Sequence, residues 1–418
     1  MLWPCSDRRG YDRVVEDNVP GPLAGLRVLE LAAVLAGPYC AMVLADLGAD
    51  VIKVEPLEGD TTRGYGPPWI GPAEPGGERV AAYFLSVNRN KRSLRLDLHR
   101  AEAGEIVGRL IAKSDVLIEN FRPGGLARLG LDGPTLAALN PDLVHLSITG
   151  FGPDGPDAAK PGYDFVAQAV GGLMSVTGFA GDEGGQPTKV GVAITDVVTG
   201  LLGAVTVLAA LRSRTGQRID LSLLESTLAM LINQAQNAFA TGEQPGRMGN
   251  AHPNIVPYET FETADGQIAV AVGSERQWPR LCAALELDEL AADPRFVDND
   301  ARVRHRDQLR PIIAELFAEA DSAHWLRLLD EAGVPSGPVN DVLSAFEQPQ
   351  ARWLQMRAEI QHPTLGPMPQ IGLPYKLSVT PASIRSAPPL LGEHSAEILA
   401  ELGYDEPAVA KLRELGVV

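Results

Sequence analysis

Two hydrophobic rhythms alternate along the chain from residue 22 onward. Leu26-Arg-Val-Leu-Glu-Leu31, Asp50-Val-Ile-Lys-Val-Glu55, Lys91 to Leu98, Asp115-Val-Leu-Ile-Glu119 and Leu143 to Thr149 are short runs rich in Val, Ile and Leu, and each predicts a strand. Pro38 to Leu47 and Arg100 to Ser114 instead carry apolar positions at helical spacing. Gly37-Pro38 opens the first of these helices, so residues 26–55 read as a βαβ unit whose helix starts beyond the carboxyl end of the first strand. Repeated strand–helix alternation predicts an α/β fold with a mostly parallel sheet covered on both faces.

Beyond residue 160 the pattern predicts helices over Tyr163 to Leu173 and Asp196 to Arg214, a polar strand Arg218 to Leu223, and a helix from Leu224 to about Ala240. A Gly/Pro/Asn-rich connection at 241–257 then changes the texture. Tyr258 to Ala271 reads as a hairpin around Asp265-Gly266, and helices rich in Leu, Trp and Arg fill 275–335. A strand near 368–377 and helices over His394 to Leu402 and Glu406 to Glu414 close the chain. The expected organisation is a polar N-terminal extension at 1–21, a large α/β domain at 22–240, a smaller α+β domain at 250–340, and a C-terminal segment, 341–418, returning to the large domain. Residues 57–80 form a long Gly/Pro-rich loop, the kind that usually serves function.

Composition narrows the partners. At 418 residues the chain is long enough for more than one core, with 45 % hydrophobic and 21 % charged residues as in ordinary globular proteins. A formal charge of −17 disfavours nucleic acid and anionic membrane surfaces. Three distant cysteines (Cys5, Cys40, Cys282) suit a reducing compartment and give neither a disulfide framework nor a cysteine-rich zinc site. No apolar run follows Arg8-Arg9, and the longest apolar stretch, Leu201 to Leu211, is about half a bilayer span. A cytoplasmic location, with no membrane and no nucleic acid, is the expectation.

Several metal and nucleophile motifs are missing from the chain. The seven histidines show no metal-ligand spacing, and the chain has no G-x-S-x-G elbow and no P-loop lysine. Gly150-Phe-Gly152-Pro-Asp-Gly155 fits the dinucleotide pattern G-x-G-x-x-G, but Pro153 and Pro156 forbid the helix that motif requires, so it reads as a turn. Carboxylate chemistry remains. In Gly191-Val-Ala-Ile-Thr-Asp196-Val-Val-Thr-Gly200, Asp196 stands at the start of a long helix of small and aliphatic residues. There it is either a helix cap or a carboxylate held ionised by the helix field, and Gly200 and Gly203 permit close approach of a ligand or another backbone.

Other segments carry two readings each. Glu119-Asn120-Phe121-Arg122-Pro123-Gly124, with Arg128 behind, is a strand end and turn, or an aromatic, an amide and arginines gathered for an adenine and its phosphates. Val34-Leu-Ala36-Gly-Pro38 either packs the first crossover or offers backbone N–H groups to an anion. In Pro161-Gly-Tyr163-Asp164 the tyrosine is a core aromatic and the aspartate a cap, or both line a pocket with Asp196.

Taken in order, these segments resemble the family III CoA-transferases, a superfamily shared with the α-methylacyl-CoA racemases. The resemblance runs over nearly the whole chain after residue 21. It is carried by Pro22 to Glu30, Ala36-Gly-Pro38, Leu47 to Pro56, Asn88 to Leu94, Asp115 to Gly124, Gly162-Tyr-Asp164 and Ala387 to His394. It implies that Asp196 is the catalytic nucleophile, that Val34, Leu35, Ala36, Leu96, Asn120, Phe121 and Arg128 line the coenzyme A site, and that Tyr163, Asp164 and Leu35 border the acyl group. It further implies a large domain built from both chain ends, a small domain, and a homodimer of two chains threaded like linked rings. No permanent cofactor is implied, since the acyl-CoA is itself a substrate. Leu35 stands where the formyl-CoA:oxalate enzyme carries glutamine, which points to a larger or less polar acyl chain than oxalate, and that enzyme's glycine-rich covering loop has no clear counterpart here.

The chemistry so implied moves CoA from an acyl-CoA to a free carboxylic acid through anhydride and aspartyl-CoA thioester intermediates on Asp196. The racemase is one rival, but Tyr163 replaces its histidine, and a tyrosine of ordinary pKa is a poor base at neutral pH. A non-catalytic acyl-CoA-binding paralogue is another. A nicotinamide-dependent oxidoreductase is a third, disfavoured by the missing fingerprint after Leu31.

Overall fold

The computed structural model describes residues 19–71, 79–181 and 184–418. Most of the expected N-terminal extension, Cys5 and the stretch 72–78 of the long loop therefore lie outside the described residues. The chain divides into two compact units. One comprises the chain up to Gly171, Gly191–Met230 and Pro349–Val418; the other comprises Gly172–Val190 and Leu231–Gln348.

The first unit is organised by six parallel strands: β1 (Arg27–Glu30), β2 (Asp50–Glu55), β3 (Lys91–Arg95), β4 (Val116–Glu119), β5 (Val144–Thr149) and β6 (Gln217–Ser222). Their spatial order is β3-β2-β1-β4-β5-β6. The chain winds outward in one direction from β1 and in the other from β4, so the loops leaving β1 and β4 part at a topological switch point, where open α/β sheets bind ligands. The helices are α1 (Ala36–Asp46), α2 (Ala101–Ala112), α3 (Asp164–Val170), α4 (Ile194–Ser213) and α5 (Leu223–Met230).

Period-two alternation sends Val28, Val51 and Val116 to one face of the sheet, with Cys40 and Leu44 of α1 and Ala204 and Val207 of α4. Their neighbours Leu29, Ile52 and Leu117 face the other way, against Ile106 and Leu110 of α2. Each fully buried Leu or Ile is worth on the order of 2 kcal/mol, so burial on both faces outweighs the weak intrinsic preference of these short strands. On the first face α4 lies close to α1 because two glycines allow it. A Cβ on Gly200 would stand 2.7 Å from the Ala36 carbonyl oxygen, and one on Gly203 would stand 3.2 Å from the Cys40 Sγ. Close packing of α1, by its backbone at Gly200 and by the Cys40 side chain at Gly203, and not a ligand, is what these glycines admit. The 20-residue α4 is long and apolar enough to cross a membrane by length and composition, and here its small-residue face packs on α1.

The expected single helix at 224–240 is two. α5 ends at Met230, Ile232 takes a φ of +38°, and α6 (Ile232–Thr241) begins there in the second unit. That unit holds the antiparallel strands β7 (Tyr258–Glu262), β8 (Gln267–Ala271) and β9 (Ser336–Pro338), with the predicted turn at Asp265-Gly266 between the first two. Helices α7 (Gln277–Ala284), α8 (Arg306–Phe317) and α9 (Ser322–Glu331) enclose a core containing Phe261, Trp278, Phe317 and Trp325.

Pro349–Val418 belongs to the first unit. It contributes the antiparallel pair β10 (Arg357–His362) and β11 (Gly366–Ile371), then α10 (Ser395–Glu401) and α11 (Glu406–Glu414), whose Ile398, Leu399 and Leu412 complete the α2 face of the sheet. The strand expected at 368–377 stops at Ile371; Gly372 and Pro374 follow, and a proline has no N–H for a ladder.

Candidate active site

Both loops at the switch point are fixed by one amide. Asn120, just past β4, donates from Nδ2 to the Ala33 carbonyl at 2.7 Å, and its Oδ1 accepts the Ala33 N–H at 3.0 Å. The next residue after Ala33 is conformationally unusual: Val34 has a φ of +71°, a region that β-branched residues rarely enter. The chain then turns into α1, whose start presents Leu35 and Ala36.

These two loops bound a cavity of about 350 Å³ at the carboxyl ends of β1, β4 and β5. Ala33 to Ala36 form one side, Asn120 to Pro123 a second, and Ile148 to Gly150 a third. Pro161, Gly162, Tyr163 and Asp196 close it from the helix side. The Gly150 and Gly162 backbones meet so closely that a Cβ on Gly150 would stand 2.6 Å from the Gly162 Cα, which brings the segment before α3 onto the end of β5. Among the described residues of this wall, Asp196 is the one carboxylate, and Arg122 and Lys160 are the cations.

Asp196 lies in the first turn of α4, two residues past its first residue, Ile194, so it is not the cap of that helix. The capping contact comes from elsewhere: Asp164 Oδ1 accepts the Thr195 N–H at 2.8 Å, and its Oδ2 accepts from Gln168 Nε2 at 2.8 Å. The expectation that the helix field keeps Asp196 fully ionised is also corrected. Burial, with the Asp164 carboxylate nearby, pushes the Asp196 carboxyl up to about 7. Desolvation and a like charge here outweigh the partial charge of the helix end. Tyr83 shares this environment: burial, then the Asp196 and Asp164 charges, raise its hydroxyl pKa, and its ring packs with Leu35 and Ala193.

Of the residues singled out in the sequence, Val34, Leu35, Ala36, Asn120, Phe121, Tyr163 and Asp196 meet on this wall. Asp164 stands one step behind it. Arg128 ends a short helix, Gly125–Arg128, that follows the Asn120–Gly124 loop, and is not on the wall. Leu96 is placed differently: it is fully buried in the core with Leu29, Ile52 and Leu94, so its side chain has no surface to offer a ligand. Lys160 and Tyr83 escaped the sequence reading, Lys160 because a lone lysine in a Pro/Gly loop carries no pattern. A second cavity of about 350 Å³ shares Phe121, Arg122, Pro123 and Thr149 with the first, and buried Glu119, His145 and Ser147 also line it.

The sheet order and the placement of the cavity define a doubly wound α/β protein with a cavity at its switch point, where such folds bind ligands. Sequence comparison then identifies it: the model of CoA-transferase family III matches residues 23–395, and the chain belongs to that family. A succinate–glutarate CoA-transferase of Agrobacterium fabrum is 44 % identical over 92 % of this chain and 96 % of its own. An acetyl-CoA:oxalate CoA-transferase of Acetobacter aceti is 40 % identical over 79 % of this chain and 84 % of its own. The crystal structure of a CAIB/BAIF family protein from Brucella suis superposes with a TM-score of 0.80 at 44 % identity, covering 92 % of this chain and all of that one. The protein is thus a CoA-transferase acting on CoA thioesters, with a mixed α/β fold around a large parallel sheet.

Proposed function

We propose that Asp196 is the nucleophile of this transfer and that the acids exchanged are short dicarboxylates. The observation that carries the first part is that Asp196 is the one carboxylate on the wall of the switch-point cavity among the described residues. Ionised Asp196 attacks the thioester carbonyl of the donor acyl-CoA, giving an aspartyl–acyl anhydride and releasing the CoA thiolate. The thiolate attacks the aspartyl carbonyl of the anhydride, which expels the donor acid and leaves an aspartyl-CoA thioester. The acceptor carboxylate runs the same two steps in reverse. A carboxylate suits this work because it is a nucleophile when ionised and an electrophile once acylated. Its raised pKa makes the anion more basic, and therefore a better nucleophile, while leaving a substantial ionised fraction at neutral pH.

In this reading Val34, Leu35, Ala36, Asn120 and Phe121 border the pantetheine and thioester of CoA, with Arg128 toward its phosphates. Tyr163 and Leu35 border the acyl chain, and Asp164 acts from behind by fixing and charging the start of α4. The dicarboxylate assignment draws on the acids named for the two relatives and on the pair of cations, Arg122 and Lys160, lining the same cavity as Asp196. An apolar Leu35 favours the longer members, succinate and glutarate, over oxalate.

A homodimer of interlocked chains completes the proposal, with the large domain drawn from both chain ends. It is supported by apolar side chains that one chain leaves exposed on the first unit, among them Phe165, Val170, Val205 and Leu228. The acidic charge and few cysteines fit a cytoplasmic setting. The test is turnover with succinyl-CoA as donor and glutarate or oxalate as acceptor. Faster transfer to glutarate, abolished by Asp196→Ala, supports the reading; preference for oxalate, or an active Asp196→Ala, contradicts it.

A further inference from the structure

Beneath the β1–α1 turn lies a group of charges that the transfer chemistry does not use. Lys53 of β2 reaches Glu30 Oε1 at 2.9 Å and Asp60 Oδ2 at 2.9 Å, and Lys91 of β3 reaches Glu30 Oε2 at 2.8 Å. The side chains of these four residues are at most 1 % exposed. Glu55 extends the group, accepting the Asp60 N–H at 3.0 Å and pairing with Arg63 at 2.7 Å. Three carboxylates thus face three cations. Burial opposes charge on Lys53 and Asp60, yet the carboxylates around Lys53 raise its pKa, and Lys53 with the Thr62 hydrogen bonds lowers that of Asp60, so both stay ionised.

Such a buried set is costly to desolvate, and replacing it with apolar side chains is often no loss to stability. Its contacts suggest another use. Lys53 Nζ donates to the Ala32 carbonyl at 2.9 Å and Lys91 Nζ to the Pro38 carbonyl at 2.8 Å, gripping the turn on either side. At the apex, the Val34 N–H points at the Asp60 carboxylate, 3.3 and 3.4 Å from its oxygens. Val34 is the residue held at φ +71°, a strained conformation for a β-branched residue that persists only where its surroundings impose it. Thr61, next to Asp60, is itself on the cavity wall.

We infer that Asp60, fixed by the Lys53–Glu30–Lys91 chain, is a positioning residue that holds the Val34 turn in its left-handed conformation and so sets the part of the cavity wall that Val34 and Leu35 provide. The inference rests on that cavity being the active site. Its ligand-facing consequence is specific: without Asp60 the turn relaxes, and Val34 and Leu35 leave the wall on which the thioester is oriented.

The test is a double-mutant cycle of Asp60→Asn and Val34→Gly. It is read as kcat and KM for succinyl-CoA with glutarate, and as CoA affinity by titration calorimetry. Asp60→Asn is expected to lower kcat/KM by about 10- to 100-fold when Val34 is present. In the Val34→Gly background the same change costs less than about 3-fold, because glycine holds a positive φ unaided. Equal losses in both backgrounds, tracking a shared fall in melting temperature, would make Asp60 a fold stabiliser only and overturn the inference. Should Asp60→Asn not fold, Thr62→Val is the milder variant. It removes the Thr62 hydroxyl that donates to Asp60 at 2.7 Å and must show the same sign of coupling to Val34→Gly. Asp196→Ala run alongside separates the two claims. If it stays active the nucleophile reading fails, whereas an inactive Asp196→Ala without coupling sinks only the role of Asp60.

Discussion

The Asp164 carboxylate accepts the Thr195 N–H at 2.8 Å, one residue before Asp196, so that one acid caps the helix that carries the other. The arrangement does two things. It anchors the first turn of α4 against the start of α3, and it sets a negative charge beside Asp196, raising its pKa beyond what burial alone achieves.

Replacing Asp164 with Asn separates these effects, since the amide oxygen still accepts the Thr195 N–H while the charge is gone. The free enzyme needs Asp196 ionised, so kcat/KM for the acyl-CoA rises with pH through about 7 in the unaltered protein. In Asp164→Asn that limb moves to lower pH, toward the ordinary carboxylate range. A pH–rate profile reads the displacement, and an unmoved limb contradicts the assignment.

The raised pKa also makes a stability prediction. Between the ordinary Asp value of 3.8 and about 7 the native state binds more protons at Asp196 than the unfolded chain does, so stability falls as pH rises across that window. Asp196→Asn removes this penalty. Its melting temperature should exceed that of the unaltered protein by several degrees at pH 8, a gain on the order of 4 kcal/mol, and match it near pH 4. Thermal denaturation at the two pH values checks the sign; a variant less stable at pH 8 contradicts the account.

Leu96 distinguishes packing from ligand contact. Fully buried among Leu29, Ile52 and Leu94, it should cost about 2–5 kcal/mol when cut to Ala. Calorimetric affinity for CoA, measured where the variant is folded, should stay within about 2-fold. A large loss of affinity with little loss of stability would return Leu96 to the binding site.

How far the sequence carried the reading depends on the range of each signal. The five short runs of Val, Ile and Leu named first are five of the six strands of the sheet, because strands buried on both faces must be apolar in sequence as well as in space; the polar run Arg218 to Leu223 is the sixth, a largely exposed edge strand. Asp265-Gly266 gave its hairpin because a turn is chosen by the residues inside it. The capping of α4 by Asp164 was invisible because its two partners lie 31 residues apart, and Asp196 itself looked like the cap. The burial of Lys53 and Lys91 has no local signal, since nothing beside them in the chain says that Glu30 and Asp60 will meet them in the interior. The burial of Leu96 has a related cause: resemblance carries a position across a family but not the direction of its side chain. The break between α5 and α6 has neither Gly nor Pro at Leu231-Ile232 to announce it.

Hydroxylamine trapping tests the central claim most directly. The protein is incubated with succinyl-CoA, quenched with hydroxylamine, digested and analysed by peptide mass spectrometry. An acylated carboxylate then appears as a hydroxamate at its own position. The account predicts that the hydroxamate falls on Asp196 and vanishes in Asp196→Ala together with CoA transfer. A hydroxamate on another acid, with Asp196→Ala still transferring CoA, would contradict it.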